Sequence, residues 1–268
     1  MTFDELTDVI RSLLPDSGTP VVVYSGLFAI GRALPSPADR LPDSVLGCLL
    51  QAIGPSRTIL MPTYTSGFHQ GRIDLDATPG ITGMVNEQLR MLPSTRRTLS
   101  AFFSFVARGP AAGLLARLAP EDAWGDGSLF AWIEDQDAQL LMIGAPWLMC
   151  SFLHRAEWIT QVPYRYTKPF SGMCVHDGME TELHERLFVR SLNPLVKNVW
   201  TGLDDLLELR GMRRQILGRS QIASISARSL LAAVVPELER DPFRFVDNPE
   251  EIRAAFPLAR SRGPHGSR

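Results

Sequence analysis

The chain reads as an α/β protein whose mixed, largely parallel central sheet is flanked by helices. Three observations predict this. Short β-branched or apolar runs, "PVVVYSG" at 20–26, "RTILMPTYT" at 57–65 and "AQLLMIGAP" at 138–146, are separated by segments of helical periodicity. The last of these runs is apolar throughout, as in a strand buried on both faces. The first two enclose a helical segment, and a strand–helix–strand order is what parallel neighbours require.

Taken in order, Phe3, Leu6, Ile10, Leu13 and Leu14 recur at helical spacing over 3–14, and the stretch from Pro15 to Pro20 breaks that helix. The strand at 20–26 ends on small residues. "DSVLGCLLQAIG" at 43–54 predicts a helix capped near Asp43 or Ser44 and stopped by Gly54. After the second strand, 65–82 is rich in turn residues and a helix is expected at 83–91. "TLSAFFSFVARG" at 98–109 alternates aromatic and small residues and reads as a third strand, followed by a short helix in "GPAAGLLARLA". "SLFAWIEDQD" at 128–137 reads as a helix, "AQLLMIGAP" as the fourth strand, and "SFLHRAEW" as the helix after it. Segments 179–195 and 201–216 read as helical or mixed, and "QIASISARSLLAAVVPELERD" at 221–241 as a strand running into a helix. With no repeat and no clear linker, one domain over 1–258 and a disordered tail over 259–268 are expected.

Bulk properties exclude several classes. The 268 residues are 45% hydrophobic and 21% charged, the composition of a globular chain with a substantial core. A net charge of −2, with no long basic run before the tail, argues against nucleic acid or an anionic membrane as partner. No apolar stretch reaches the ~18–20 residues of a spanning helix. The acidic amphipathic N-terminus is unlike a signal peptide. Three widely spaced cysteines, Cys48, Cys150 and Cys174, with no Cys-x-x-Cys, suit a reducing cytoplasm. No set of His, Cys, Asp and Glu has metal-ligand spacing, so no metal is expected.

Candidate chemistry centres on His154 and Glu157. On a helix, i and i+3 share a face, and a carboxylate that orients an imidazole makes it a general base. The pair follows a buried strand, and open α/β sheets place ligands at the carboxyl ends of their strands. On spacing alone, a surface pair worth ~0.3–0.5 kcal/mol is the commoner outcome. Cys150, four residues earlier, could share that face as a thiolate nucleophile or be a small buried hydrophobe. Ser25, Gly26 and Gly31 follow the first strand and could admit a ligand to the backbone or make a tight turn for packing. Ser128 could line a site or cap the next helix. "PYRYTK" at 163–168 is an aromatic-basic run that reads as a pocket wall, with Arg165 and Lys168 offering cations. His69 sits in a Gly-flanked loop and could touch a ligand; His176, His184 and His265 carry weaker signals.

The order of these motifs resembles the aminoglycoside 3-N-acetyltransferase family from about Val21 to Gly218. The landmarks are "VVVYSGLFAIG", "GPSRTILMPTYT", "ATPGITG", "RRTLSAFFSFVARG", "DGSLFAWIEDQDAQLLMIG", "LHRAE" and "VPYRYTKPFSG". The resemblance implies an α/β fold distinct from the GNAT acetyltransferases, with acetyl-CoA or another acyl-CoA as co-substrate and direct acyl transfer to an amine. Carried over, it makes His154 the base and Glu157 its support. It puts Ser25, Gly26, Leu27, Gly31, Thr63, Ser104 and Ser128 around the pantetheine and thioester. Tyr64, His69, Phe102, Phe103, Arg165 and Lys168 are then the expected acceptor contacts.

One departure bears on the acceptor. Members that act on antibiotics typically carry His-Pro before the serine that matches Ser104, and here the segment is Ser100-Ala101-Phe102-Phe103. A polycationic aminoglycoside needs acidic, hydrogen-bonding walls, so the expectation is a smaller amine: an amino sugar or a biosynthetic intermediate. The expected partners are that amine and acyl-CoA, with a homodimer implied by the resemblance. Transfer through a Cys150 thioester and a non-catalytic CoA- or partner-binding role are the alternatives.

Overall fold

Strands with apolar side chains on both faces need cover on both sides, and the chain supplies it from two sets of helices. The structure, a computed structural model, describes residues 1–34, 37, 39–119, 121–217 and 220–257. Its elements in chain order are α1 (Phe3–Leu13), β1 (Val21–Ser25), α2 (Leu27–Gly31), α3 (Leu41–Ile53), β2 (Ile59–Pro62), β3 (Arg72–Asp74), α4 (Met84–Met91), β4 (Arg96–Arg97), β5 (Phe105–Arg108), α5 (Ala112–Leu115), α6 (Leu129–Asp135), β6 (Gln139–Ile143), α7 (Leu153–Ile159), β7 (Arg165–His176), β8 (Met179–Arg190), α8 (Leu203–Glu208), β9 (Arg213–Leu217), β10 (Ser220–Ser226), α9 (Ala227–Arg240) and α10 (Pro249–Ala255). A 3₁₀ turn at Trp147–Met149 links β6 to α7.

Seven strands form one sheet in the order β4-β5-β2-β1-β6-β10-β9. β1 is parallel to both β2 and β6, while β5 and β10 run against their neighbours. β4, β2, β1, β6 and β9 therefore point one way and β5 and β10 the other. Alternation splits the core into two layers. Val22, Tyr24, Leu60, Leu140 and Met142 pack with α6, α7, α8 and α9, and Val21, Val23, Ile59, Leu141 and Ile143 pack with α1, α3 and α4. No helix of the described residues is long and apolar enough to cross a membrane.

A second sheet, β3-β7-β8, is built on a long hairpin in which Arg165 to His176 pair with Arg190 to Met179. Its base joins the main core through Leu187 and Phe188. Beneath it, Ile73, Leu75, Ala101, Cys174 and Leu183 form a small core of their own.

Several expectations are corrected here. Segment 179–195 is not helical: its first twelve residues are β8, in which Leu183, Glu185 and Leu187 are buried between exposed His184 and Arg186, and Phe188 is buried as well. Segment 201–216, by contrast, is mixed in line with its expectation and divides into α8 and β9. The third strand is only Phe105–Arg108, because 98–104 bends so that Ser100 and the amide of Ala101 can donate to the Glu185 carboxylate. Helix α3 starts at Leu41 after Arg40, with Pro42 in its first turn rather than an Asp43 or Ser44 cap. The turn-rich stretch at 65–82 contains the short strand β3. The tail expected over 259–268 lies outside the described residues.

The ends of β1 and β6 meet at two glycines. The Gly26 amide donates to the Ile143 carbonyl at 2.8 Å, and a Cβ on Gly26 would lie 2.5 Å from the Gly144 carbonyl oxygen. Gly144 adopts a positive φ of 64°. Gly26→Ala must push backbone apart and is expected to cost ~1–3 kcal/mol. Gly18, with no atom within 4 Å of a Cβ, is the control. Thermal unfolding should show a drop of several degrees for Gly26→Ala and about none for Gly18→Ala; equal Tm values would refute the close crossing.

Candidate active site

Helix α7 starts on the far side of the 3₁₀ turn that ends β6, so His154 and Glu157 stand at the carboxyl end of a central strand. Leu153, Ala156 and Glu157 lie on the buried face of α7. His154 lies beside them, its side chain 26% exposed against 0% for Glu157. His154 Nδ1 is 2.5 Å from Glu157 Oε2. Arg165 Nη2, which only donates, lies 3.1 Å from the same nitrogen, but the closer partner is an ionised carboxylate that only accepts, so the Nδ1 proton points at Glu157 and Nε2 carries the lone pair.

The buried carboxylate is fully satisfied. Oε2 also receives Arg165 Nη2 at 2.9 Å. Oε1 accepts the Tyr164 hydroxyl at 2.8 Å and Asn198 Nδ2 at 2.7 Å. Arg165 is itself held by the Phe188 carbonyl and Asn198 Oδ1, both at 3.0 Å. Burial alone would raise the Glu157 pKa, but Arg165, His154 and the hydroxyl of Tyr164 outweigh it and hold the carboxylate at about 2. For His154, burial and the adjacent Arg165 lower the pKa more than Glu157 raises it. At neutral pH the site thus holds an ionised glutamate behind an imidazole whose neutral form is favoured.

Two cavities meet at His154, Phe103 and Leu148. The larger, of about 720 Å³, runs between α7 and the β7–β8 hairpin and is walled by Phe102, Trp124, Phe170 and Trp200, with Arg165, Lys168, Arg190 and Lys197 as its cations. The smaller, of about 390 Å³, lies over the ends of β1 and β2 against Tyr24, Ser25, Tyr64, Thr82, Asn86 and Ser151. Its hydroxyls are linked: Ser151 Oγ lies 3.1 Å from the Tyr24 hydroxyl and in a short hydrogen bond with that of Tyr64.

Of the sequence candidates, Ser25 and Tyr64 line the smaller cavity, Phe102, Arg165 and Lys168 the larger, and His154 and Phe103 both. Apart from Glu157 behind His154, the remaining candidates line neither cavity and have partners within the fold. Thr63 and Ser104 are fully buried and bond one another across the strands, with Ser104 Oγ donating to the Thr63 carbonyl at 2.9 Å. Ser128 caps α6 by accepting from the Ala131 amide. Gly26 and Gly31 are spacers: a Cβ on Gly31 would lie 2.7 Å from a Leu41 methyl, and the Gly26 amide is not free. Leu27 packs into the core beside α3, and His69 is exposed in a turn closed by Arg72. His176 donates to the Arg97 carbonyl, and His184 is exposed beside Glu182. Cys150 precedes α7 and lines neither cavity; burial pushes its thiol up to about 12.

Sequence reasoning missed Tyr164, Asn198, Trp124, Ser151, Arg190 and Lys197. Tyr164 stands one residue before Arg165 in "PYRYTK" and was available as a donor, but nothing in the order of residues brings Asn198 back across the hairpin to Glu157. Among the described residues no group of three or more His, Cys, Asp and Glu side chains is placed to hold a metal ion.

Comparison with known proteins gives the family and the fold. The family model described as aminoglycoside 3-N-acetyltransferase matches residues 23–239. Aminoglycoside N(3)-acetyltransferase IV of Salmonella sp is 26% identical over 251 residues, 92% of this chain and 90% of that one. Aminoglycoside N(3)-acetyltransferase III of Enterobacter cloacae is 28% identical over 193 residues, 62% of this chain and 65% of that one. Among solved structures, the aminoglycoside acetyltransferase AAC(3)-IVa apoenzyme superposes with a TM-score of 0.72 at 23% identity, covering 93% of each chain. The complex of AAC-IIIb with CoASH gives 0.75 at 22% identity, covering 91% of this chain and 97% of that one. The chain belongs to the aminoglycoside 3-N-acetyltransferase family of acyltransferases.

Proposed function

We propose that the protein moves an acyl group from acyl-CoA to a small-molecule amine by direct attack, with His154 as the general base. One observation carries this reading: His154 is locked by Glu157 in the Nδ1–H tautomer, and Nε2 is left basic where two cavities meet. Relatives named as N-acetyltransferases, one solved with CoASH bound, support the donor and the reaction class.

The acyl-pantetheine end occupies the smaller, uncharged cavity beside Ser25 and Tyr64, and the amine approaches from the larger one. His154 Nε2 takes a proton as the nitrogen bonds to the thioester carbonyl carbon. The imidazolium is stabilised by Glu157 and returns the proton to the departing thiolate as the tetrahedral intermediate collapses to amide. Tyr24, Ser151 and Tyr64 are three hydroxyls joined by two hydrogen bonds. One proton of that chain is therefore free to be donated to the developing oxyanion.

A thioester on Cys150 is disfavoured, because its thiol is buried, held protonated and outside both cavities. A purely binding role is opposed by the complete set of partners around Glu157.

His154→Ala should lower kcat by ~10²–10⁴-fold while CoA binding persists. Near-normal turnover would refute the assignment. Because the His154 pKa is lowered, the base form survives further into acid. The acid limb of kcat/KM should therefore fall below the ordinary histidine value of ~6.5; a limb above it would contradict the reading. Arg165 is a positioning residue whose charge keeps that limb low. Arg165→Met should move the limb up in pH and Arg165→Lys should largely restore it, whereas a purely structural role would lower protein yield or Tm and leave the limb in place.

A further inference from the structure

The larger cavity is lined mostly by apolar and aromatic side chains, and its charged lining residues are all cations. Of its four, Arg165 is spent on Glu157, to which it donates at 2.9 Å. Lys168, Arg190 and Lys197 line the same cavity, and among the described residues none of the three has an acidic partner. No aspartate or glutamate lines it. They come from separate places, Lys168 from β7, Arg190 from the end of β8 and Lys197 from the loop before α8, yet face one space with His154. Like charges gathered around a half-enclosed cavity repel one another and are stabilised by an anion that enters it.

We infer that the acceptor is an anionic amine, carrying a carboxylate or phosphate that Lys168, Arg190 and Lys197 bind while its nitrogen reaches His154. The inference rests on the acyl-transfer reading above and deepens it. A polycation would meet three uncompensated charges and no carboxylate to pair with. An anionic amine is drawn in, and the same cations favour the neutral, nucleophilic form of its nitrogen over the ammonium. The remaining wall gives the body of the acceptor its contacts: Phe102 and Phe170 lie 4.6 Å apart, and Lys168 sits 5.2 Å from the Phe170 ring. The acceptor is thus an amine with a compact apolar or ring-shaped body and an anion at the far end from the nitrogen. The phosphates of CoA are a poorer fit to these cations. These cations line the cavity on the acceptor side of His154, whereas the acyl-pantetheine end is assigned to the uncharged cavity.

Matched amines test this. The probes are glucosamine against glucosamine 6-phosphate and phenethylamine against phenylalanine, with the polycation kanamycin as the contrary case. The measurements are acetyl transfer from acetyl-CoA and, separately, equilibrium binding to the full chain by calorimetry. The expected result is a tenfold or greater preference for the anion in at least one pair, with kanamycin the poorest. In the triple variant Lys168→Gln, Arg190→Gln, Lys197→Gln that preference should fall below about threefold, with CoA binding unchanged. The phosphate and carboxylate pairs report which anion is read. Preference for kanamycin, equal binding within both pairs, or no binding of either anionic probe at millimolar concentration overturns the inference. So does a tenfold loss of CoA affinity in the triple variant with the amine preference intact, which would give these cations to CoA. Charge-selective binding without turnover of any amine supports the inference and instead counts against the acyl-transfer reading.

Discussion

The structure depends on one buried charge. Glu157 has no exposed surface, and an ionised carboxylate placed there without partners would cost several kcal/mol. Its four donors come from three pieces of structure: His154 from α7 itself, Tyr164 and Arg165 from the entry to β7, and Asn198 from the loop after β8. Satisfying the charge therefore docks the β7–β8 hairpin against the helix that follows the central sheet. The same bonds choose the imidazole tautomer. Orientation of the base and placement of the second sheet are one event.

The larger cavity follows from that docking. With the hairpin tied to α7 through Arg165, its inner residues, Lys168, Phe170 and Phe188 among them, face His154 across open space. A second buried glutamate finishes the wall. Glu185, inward-facing on β8, accepts from Ser100 and from the Ala101 amide at 3.0 Å and so bends 98–104 out of the strand. Phe102 and Phe103 ride on that bend into the cavity. Phe103, resting on Trp124 at 4.8 Å between ring centres, stands where the two cavities join. The apolar segment thus puts an aromatic ring between the two cavities, while the charges of the larger one come from other elements.

Much of the fold was legible, for reasons that differ by element. β1, β2 and β6 are buried on both faces, and an unbroken apolar run says so directly. α1 carries its apolar residues at helical spacing and a Thr2–Glu5 capping box at its start. The β7–β8 hairpin was misread because Glu, Leu and Arg in "METELHERLFVR" favour helices. The deciding signal, Asp177-Gly178 with φ of 50° and 73°, is a two-residue turn flanked by alternating residues. His154 and Glu157 were legible as a pair, and the role proposed for them came from the order of flanking motifs. Arg165 was expected in the pocket wall but not as the clamp on Glu157, and Asn198, Arg190 and Lys197 carried no signal. Their contacts form only when the hairpin folds back, a long-range event that local periodicity does not encode.

The proposed chemistry depends on Glu157 and its donors holding His154 as a neutral imidazole protonated on Nδ1, with Nε2 free to accept a proton. Nitrogen-15 NMR of the histidine side chains, assigned with His154→Gln, reads tautomer and titration together. The account predicts an Nδ1–H signal for His154 at neutral pH and a midpoint below the ordinary histidine value. An Nε2–H tautomer, or an imidazolium persisting above that value, would contradict it.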